Sequence, residues 1–134
     1  MQKTIRTSQN PQNVIEVLSD PNYFLKKVFP GVKTITVNED LSFNLVGSFI
    51  SIPSIVTYAL GVRRYKLING VSYLFNGINI NGRGEIKIVL KEGNLNINVE
   101  YEGQYEGALL SRIMKNLDKL EKDLDKDVAN YKAR

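Results

Sequence analysis

Residues 94–133 read NLNINVEYEGQYEGALLSRIMKNLDKLEKDLDKDVANYKA, and a change of period within this stretch decides the fold. In its first ten residues apolar side chains alternate with polar ones, which is typical of a half-buried strand. The apolar side chains of that strand are Leu95, Ile97, Val99 and Tyr101. From Gly107 to Ala133 apolar residues recur every three or four positions, which predicts one long amphipathic helix. Its apolar stripe consists of Leu110, Ile113, Met114, Leu117, Leu120, Leu124, Val128 and Tyr131.

Upstream, between residues 32 and 102, the chain keeps a period of two that is interrupted by short turn signals. We predict strands over residues 33–37, 41–45, 56–68, 71–75, 86–90 and 95–102. The turn signals are Asn38-Glu39-Asp40, Asn69-Gly70, Asn81-Gly82 and Glu92-Gly93-Asn94. We interpret Gly47 as a bulge. Because turns this short cannot carry a parallel crossover, the sheet is expected to be antiparallel.

Two proline-led signals follow a first predicted strand over residues 2–9. Asn10-Pro11 joins an N-cap residue to a proline suited to the first helical position, and Asp20-Pro21 repeats that pair. These signals predict two short amphipathic helices, of which the second ends at Pro30-Gly31.

The order of elements is therefore a strand, two short helices, about six strands and one long helix. A twisted antiparallel sheet with one apolar face needs a cover, and the C-terminal helix carries the longest apolar stripe. We predict an α+β, helix-grip fold, in which a curved antiparallel sheet of about seven strands wraps around that helix. The stripe also has the spacing of a coiled-coil seam. Packing within the chain is favoured because the sheet needs this face.

The composition excludes several kinds of chemistry. The 134 residues include 18 basic and 14 acidic side chains, for a net charge of +4, and no cysteine, histidine or tryptophan. This length fits a single domain over residues 1–134. Without cysteine and histidine there is no disulfide, thiolate zinc site or Ser–His–Asp triad. We accordingly expect no metal and no cofactor.

Neither the first residues nor the most apolar stretch predicts a targeting or membrane segment. Residues 1–6 lack the apolar core of a secretory signal, and the stretch from Phe49 to Leu60 is too short to cross a bilayer. We expect a cytoplasmic protein without an integral membrane segment. The densest basic run, Arg63-Arg64-Tyr65-Lys66, is interpreted as a solvated strand face, so no nucleic-acid partner is expected.

The residues around the two predicted short helices carry a family resemblance. They run Asn10-Pro11, Val14, Val17-Leu18-Ser19-Asp20-Pro21 and Phe29-Pro30-Gly31-Val32. This pattern resembles the opening of START-like, Bet v 1-like (SRPBCC) proteins, in particular those similar to the G-type subunit of carbon monoxide dehydrogenase. The element order resembles the superfamily over essentially the whole chain, whereas the motif covers residues 10–32 and is structural. The composition, rich in asparagine, isoleucine and lysine, resembles that of a divergent prokaryotic member and, more narrowly, of an uncharacterised archaeal branch.

The resemblance implies a cavity between the sheet and the C-terminal helix. Relatives bind lipids, sterols, polyketides or plant hormones in such cavities, and a few catalyse cyclisation or hydrolysis there. The implied function is sequestration or transfer of a small hydrophobic or amphipathic ligand. Two alternatives stay open: a protein-interaction or assembly module with a filled cavity, and a less favoured cyclase-like or hydratase-like enzyme. The superfamily shares no catalytic residue set, so no catalytic residue is assigned.

Strand and helix periodicity then selects the inward side chains that would line such a cavity. The candidates are Phe43, Phe49, Tyr58, Leu60, Arg64, Tyr73, Phe75, Ile88, Val99, Ile113, Met114 and Leu117. Each of them can equally be a core residue. Tyr58, Tyr73 and Asn76 would add polar contacts. Because Arg63 and Arg64 are adjacent in a strand, one of them faces inward, where it would bind a carboxylate or phosphate.

Overall fold

A computed structural model of the chain describes residues 1–132, which form seven strands and three helices. The first half contains β1 (Gln2–Arg6), α1 (Pro11–Leu18), α2 (Pro21–Val28), β2 (Val32–Val37) and β3 (Phe43–Ser51). The second half contains β4 (Ser54–Leu67), β5 (Gly70–Gly77), β6 (Gly82–Lys91), β7 (Asn94–Gly103) and α3 (Glu106–Lys132). The expected helix end at Ala133 lies outside the described residues.

The seven strands form one antiparallel sheet in the order β1-β7-β6-β5-β4-β3-β2. Strands β2 to β7 follow one another as a meander, and β1 adds to the free edge of β7, with Gln2 opposite Asn98 and Arg6 opposite Asn94. The sheet curves around α3, and α1 and α2 connect β1 to the opposite edge of the sheet. The predicted helix-grip fold is confirmed.

The two short helices begin where the cap residues predict. The side chain of Asn10 accepts hydrogen bonds from the backbone N–H groups of Gln12 and Asn13, at 2.9 and 3.2 Å. Asp20 accepts one from Asn22 at 2.9 Å. In each helix a proline occupies the first turn, where its missing N–H costs nothing.

Several boundaries differ from the sequence prediction, among them those of β3, which spans Phe43–Ser51 and not residues 41–45, and of β6, which begins at Gly82 and not near residue 86. Strand β1 ends at Arg6, not Gln9, because the chain then turns toward α1 and the N–H of Thr7 bonds the carbonyl of Gly93. The β4–β5 turn is Ile68-Asn69, one residue earlier than predicted. Gly70 lies in β5, where a Cβ atom would be only 1.8 Å from the carbonyl oxygen of Ile88. At β2 the register shifts at Lys33, opposite Gly47, so the bulge expected at Gly47 lies on the neighbouring strand.

The apolar stripe of α3 is buried against the concave face of the sheet. Its fully buried side chains are Leu109, Ile113, Leu117, Leu120, Leu124 and Val128. The predicted seam began at Leu110, which is only half-buried, as is Met114. With about 100° of rotation per residue, spacings of four, four, three, four and four residues keep the six fully buried side chains within about 100° of one another, on one face of the helix. The stripe is thus satisfied within the chain.

Aromatic rings fill the space between the sheet and α3 by packing over glycines. A Cβ atom on Gly84 would lie 2.4 Å from the ring of Phe75, and one on Gly82 would lie 2.2 Å from the hydroxyl of Tyr101. The two rings stack on each other with centroids 5.9 Å apart. The ring of Phe29 packs edge-on against Phe75 at 5.2 Å. Glycine at these inward positions therefore makes room for large side chains on neighbouring strands.

A polar contact joins α2 to α3. Lys27 Nζ lies 2.9 Å from a carboxylate oxygen of Asp123 and 3.1 Å from one of Asp127. The hydroxyl of Tyr23 donates to the same Asp127 carboxylate at 2.7 Å. Burial first, and then the neighbouring Asp127, raises the pKa of Tyr23 above its ordinary value, so the phenol stays a donor.

Replacing Gly84 by alanine tests the filled interior. The added methyl carbon would lie 2.3 Å from the carbonyl oxygen of Glu100 and 2.4 Å from the ring of Phe75. Both distances are too short, so the surrounding groups must move. We expect Gly84→Ala to lower the free energy of unfolding by about 1–3 kcal/mol, measured by urea denaturation. Gly61→Ala is the matched control, because a Cβ there meets nothing within 4 Å. It should leave the midpoint unchanged or raise it slightly, and equal losses in both variants would contradict the packing argument.

The α2–α3 contact predicts a loss of stability in acid. The hydrogen bond from Lys27 holds the pKa of Asp123 below its ordinary value of 3.8. A carboxyl group with a lowered folded pKa stabilises the fold above its unfolded pKa and loses that contribution as the pH falls through the folded pKa. We expect the urea midpoint to fall between about pH 4 and pH 2, and less steeply in Lys27→Gln.

The control for this experiment is Arg83→Gln. Arg83 and Glu102 form an ion pair at 3.1 Å in which both side chains are largely exposed, so solvent screens it. This variant should keep the pH dependence of the natural sequence. A Lys27→Gln protein that lost stability as steeply as the unchanged chain would show that other carboxyl groups cause the effect.

Candidate ligand-binding cleft

A cleft of about 930 Å³ opens at the end of the sheet where the β4–β5 and β6–β7 turns lie. Helix α1 forms one wall, and the ends of the two hairpins form the other. Its apolar lining residues are Pro11, Ile15, Pro21, Leu67, Ile68, Leu90 and Tyr131. Its charged lining residues are Glu16, Asp20, Arg64, Lys66, Lys91 and Glu92. The cleft therefore combines apolar surface with charge of both signs.

The cleft lies where strand β4 extends past helix α1. Strand β4 has 14 residues, and its concave-face side chains Tyr58, Leu60 and Val62 are buried. The next two side chains on that face, Arg64 and Lys66, are exposed and line the cleft. One face of the strand thus changes from buried core to exposed cleft lining along its length.

Arg64 connects the two walls of the cleft. One of its Nη atoms donates to the carbonyl oxygen of Ser19, just after α1, at 2.6 Å. Its guanidinium carbon also lies 5.8 Å from the centre of the Phe43 ring. A guanidinium group carries five N–H donors, so the bond to Ser19 engages only part of it. The remaining donors suit a carboxylate or a phosphate.

A second hydrogen bond fixes the same helix end. The hydroxyl of Tyr73, which lies opposite Arg64 in the sheet, donates to the carbonyl oxygen of Leu18 at 2.6 Å. The ring of Phe24 stacks on Tyr73 with centroids 4.9 Å apart. Burial raises the pKa of Tyr73 above its ordinary value, so its hydroxyl remains protonated. The helix wall of the cleft is therefore held at two consecutive carbonyl groups.

On the helix side, Asp20 is already engaged. One carboxylate oxygen caps α2 by accepting from the N–H of Asn22, and the other accepts from the hydroxyl of Tyr131 at 3.0 Å. These bonds tie the start of α2 to the end of α3. Much of the hydrogen-bonding capacity of Asp20 is thus used within the protein. Asp20 therefore has partners of its own, across the cleft from the cations Arg64 and Lys66 on the sheet side.

Of the twelve predicted site residues, ten are buried in the core, one is half-buried and one lines the cleft. Arg64 lines the cleft, and it is the inward arginine of the adjacent pair, whereas Arg63 lies on the convex face and pairs with Asp40 at 2.7 Å. Met114 is half-buried. The other ten are buried in the core: Phe43, Phe49, Tyr58, Leu60, Tyr73, Phe75, Ile88, Val99, Ile113 and Leu117.

The polar candidates have other partners. Tyr58 donates to the carbonyl oxygen of Pro30 at 2.5 Å, and Tyr73 donates to Leu18, so both hydroxyls bond backbone groups. The inward orientation predicted for Asn76 is wrong. Its strand neighbours Tyr73 and Phe75 are the inward residues, and Asn76 lies on the convex face beside Arg83, in a groove of about 460 Å³.

Sequence reasoning missed the other cleft residues, among them Ile15, Lys66, Leu90 and Tyr131. One signal was available, because Lys66 is two residues from Arg64 and so shares its face. The contributions from α1 and from the end of α3 depend on how these helices cross the sheet, which no local pattern reports. Within residues 1–132 the structure groups no three acidic side chains in a way that would hold a metal ion. Nor does any helix in that range have the length and apolarity needed to cross a bilayer.

The architecture and the cleft define an α+β protein in which a curved sheet wraps around one helix. The chain belongs to a protein family whose model matches residues 1–133. No curated protein matches the chain.

Solved structures show the same fold. A hypothetical protein from Sulfolobus tokodaii is 25% identical, with a TM-score of 0.85, over 99% of this chain and 96% of that one. A conserved protein from Geobacillus kaustophilus is 16% identical, with a TM-score of 0.57, over 96% and 93%. A Thermus thermophilus protein is 14% identical, with a TM-score of 0.59, over 98% and 96%. The last two likenesses concern the fold alone.

Proposed function

We propose that the protein binds a small amphipathic molecule with an anionic end, for sequestration or transfer, in the cleft beside α1. The observation that carries this proposal is the position of Arg64. Its guanidinium is anchored to the carbonyl of Ser19, lies at the wall of a 930 Å³ cleft and keeps further donors for a ligand. A cleft of this size falls within the usual range for small-molecule sites.

Affinity would come from the apolar lining. Burial of apolar surface is worth about 25 cal/mol per Å², from which the costs of association must be subtracted. Ile15 on the helix side and Leu67 and Leu90 on the sheet side give the ligand apolar contacts from two directions. This arrangement suits a ligand with a hydrocarbon or aromatic body.

Orientation would come from the cations of β4. Arg64 and Lys66 share one face of the strand, so an anionic group placed between them meets two positive charges. Asp20, one of the acids that line the cleft, already accepts hydrogen bonds from Asn22 and Tyr131. A carboxylate or phosphate is therefore expected at the sheet side, with the apolar body toward α1.

A paired substitution on one strand tests this proposal. We expect Arg64→Met to weaken binding of anilinonaphthalene sulfonate and of a medium-chain fatty acid by about tenfold or more, because a charge-assisted hydrogen bond is lost. Fluorescence titration measures the first ligand and calorimetry the second. Arg63→Met is the matched control, because Arg63 is the adjacent residue on the convex face. It should bind both probes like the unchanged chain.

Two results would contradict the proposal. Equal weakening in both variants would show that net charge, not the cleft, determines binding. Binding of neither probe by the unchanged chain would remove the cleft as a site for amphipathic anions. Arg63→Met should melt close to the unchanged chain, whereas Arg64→Met also loses the hydrogen bond to Ser19 and should melt slightly lower while staying folded at the temperature of the titration.

A second candidate function, a protein-interaction or assembly module, is favoured by the filled interior. Ten of the twelve residues expected to line an internal cavity are core residues, and aromatic rings occupy the space over Gly82 and Gly84. Native mass spectrometry before and after organic extraction distinguishes the two functions. A lipid-like adduct favours the binding function. A clean mass, together with no thermal shift from a panel of hydrophobic compounds, favours the module.

We further propose that the chain is a divergent START-like, Bet v 1-like protein related to those similar to the G-type subunit of carbon monoxide dehydrogenase. The supports are the order of elements, the sheet topology and the two proline-led helices that begin at Pro11 and Pro21. The likeness to the Sulfolobus tokodaii protein supports an archaeal origin. A cytoplasmic location remains a prediction, and the enzymatic alternative has no residue set to test.

A further inference from the structure

The β3–β4 hairpin ends in three exposed isoleucines. Ile50, Ile52 and Ile55 are 60%, 90% and 73% exposed. Ile50 and Ile55 lie directly opposite each other in the sheet register, and Ile52 lies in the turn between the strands. Together they form one apolar patch at the end of the molecule opposite to the cleft. We call residues 49–56, which carry this patch, the hairpin tip.

The hairpin tip extends beyond its neighbours on both sides. Strand β2 pairs with β3 no further than Gly47, and the last backbone bond on that side runs from Ser48 to Gly31. On the other side the β5–β6 loop follows β4 as far as Thr57, whose carbonyl accepts from the side chain of Asn79 at 2.9 Å. With about 3.3 Å per residue, the three residues on each strand and the turn project by about 10 Å.

The tip is held in place from its concave side. The guanidinium of Arg112 on α3 donates to the carbonyl oxygen of Ile50 and lies 5.5 Å from the centre of the Phe49 ring. The Phe49 ring also contacts Tyr58 and Tyr105, at centroid distances of 5.7 and 5.9 Å. The base of the hairpin tip is therefore packed against α3, and the three isoleucines extend from that base into solvent.

The distribution of charge identifies the kind of surface that fits this tip. Residues 41–62 contain no charged side chain. At the base lie two cations, Arg112 and the exposed Lys33 at the β2 bulge, against the acidic Glu106 in the first turn of α3. The aromatic Tyr105 is partly exposed beside them. An apolar tip with aromatic and cationic residues at its base matches the layering of a bilayer interface.

We propose that the hairpin tip inserts into the interface of a lipid bilayer that carries anionic headgroups. A projection of about 10 Å matches the depth of about 5–10 Å to which interfacial segments bury their apolar side chains. A stable protein interface instead takes about 20–30 residues from each side, which an eight-residue finger does not offer. The insertion does not rest on ligand binding in the cleft.

Vesicle sedimentation tests the insertion. The unchanged chain should pellet with vesicles of equimolar phosphatidylcholine and phosphatidylglycerol, and less with phosphatidylcholine alone. The triple variant Ile50→Thr, Ile52→Thr, Ile55→Thr should partition about tenfold less or weaker still, because the buried apolar surface is lost. Threonine keeps the β-branch, so the hairpin should still form. Val37→Thr is the control, since Val37 is 62% exposed at the opposite end of the sheet, beside the β2–β3 turn, and does not line the cleft.

Fluorescence provides a second readout because the chain contains no tryptophan. The emission of an Ile52→Trp variant should shift to the blue when anionic vesicles are added, and that of Val37→Trp should not. Circular dichroism checks that each variant is folded. The proposal is overturned if the unchanged chain does not bind anionic vesicles. It is equally overturned if the triple variant binds like the unchanged chain, or if Val37→Thr reduces binding as much.

Discussion

Burial of the apolar stripe of α3 in the concave face of the sheet is the interaction on which the other elements depend. An amphipathic helix of 27 residues with a continuous apolar stripe is not stable in water until that stripe is covered. The sheet has the same need on its inner face. Because the sheet twists, its strands must curve to follow the helix. The short helices α1 and α2 then close the part of the concave face that α3 leaves open.

This arrangement gives the two ends of the molecule different surfaces. At one end β4 runs past α1, so the concave face continues into solvent with Arg64 and Lys66 in place of buried side chains. At the other end β3 and β4 run past their neighbours without a charged residue, and the exposed side chains are isoleucines. Both surfaces arise where strands extend beyond the elements that pack against them. The cleft presents charged side chains on a concave wall, and the hairpin tip presents apolar side chains on a projecting hairpin.

The periodicity of the sequence was sufficient to predict the fold, but it did not predict where the folded chain forms a cavity or a cleft. Alternation along residues 94–102 and the stripe on α3 predicted the sheet and its cover, because burial on one face imposes a period that is visible locally. The same alternation correctly placed Phe75 and Val99 inside. Whether inward residues line a void or fill it depends on how rings from neighbouring strands meet, as Phe75 does over Gly84. That information lies in pairs distant in sequence, so a single-strand pattern does not contain it.

The pairing of β1 with β7 has a consequence for the order in which the chain can fold during synthesis. Gln2 pairs with Asn98, and Lys3 bonds Asp118 and Glu121 on α3, so β1 has no partners until β7 and α3 have been made. The β2–β7 meander can form earlier from contacts between sequence neighbours. Until β1 pairs with it, the edge of β7 remains open to other chains. The residues of β1 are therefore made before the meander but reach their native contacts after it.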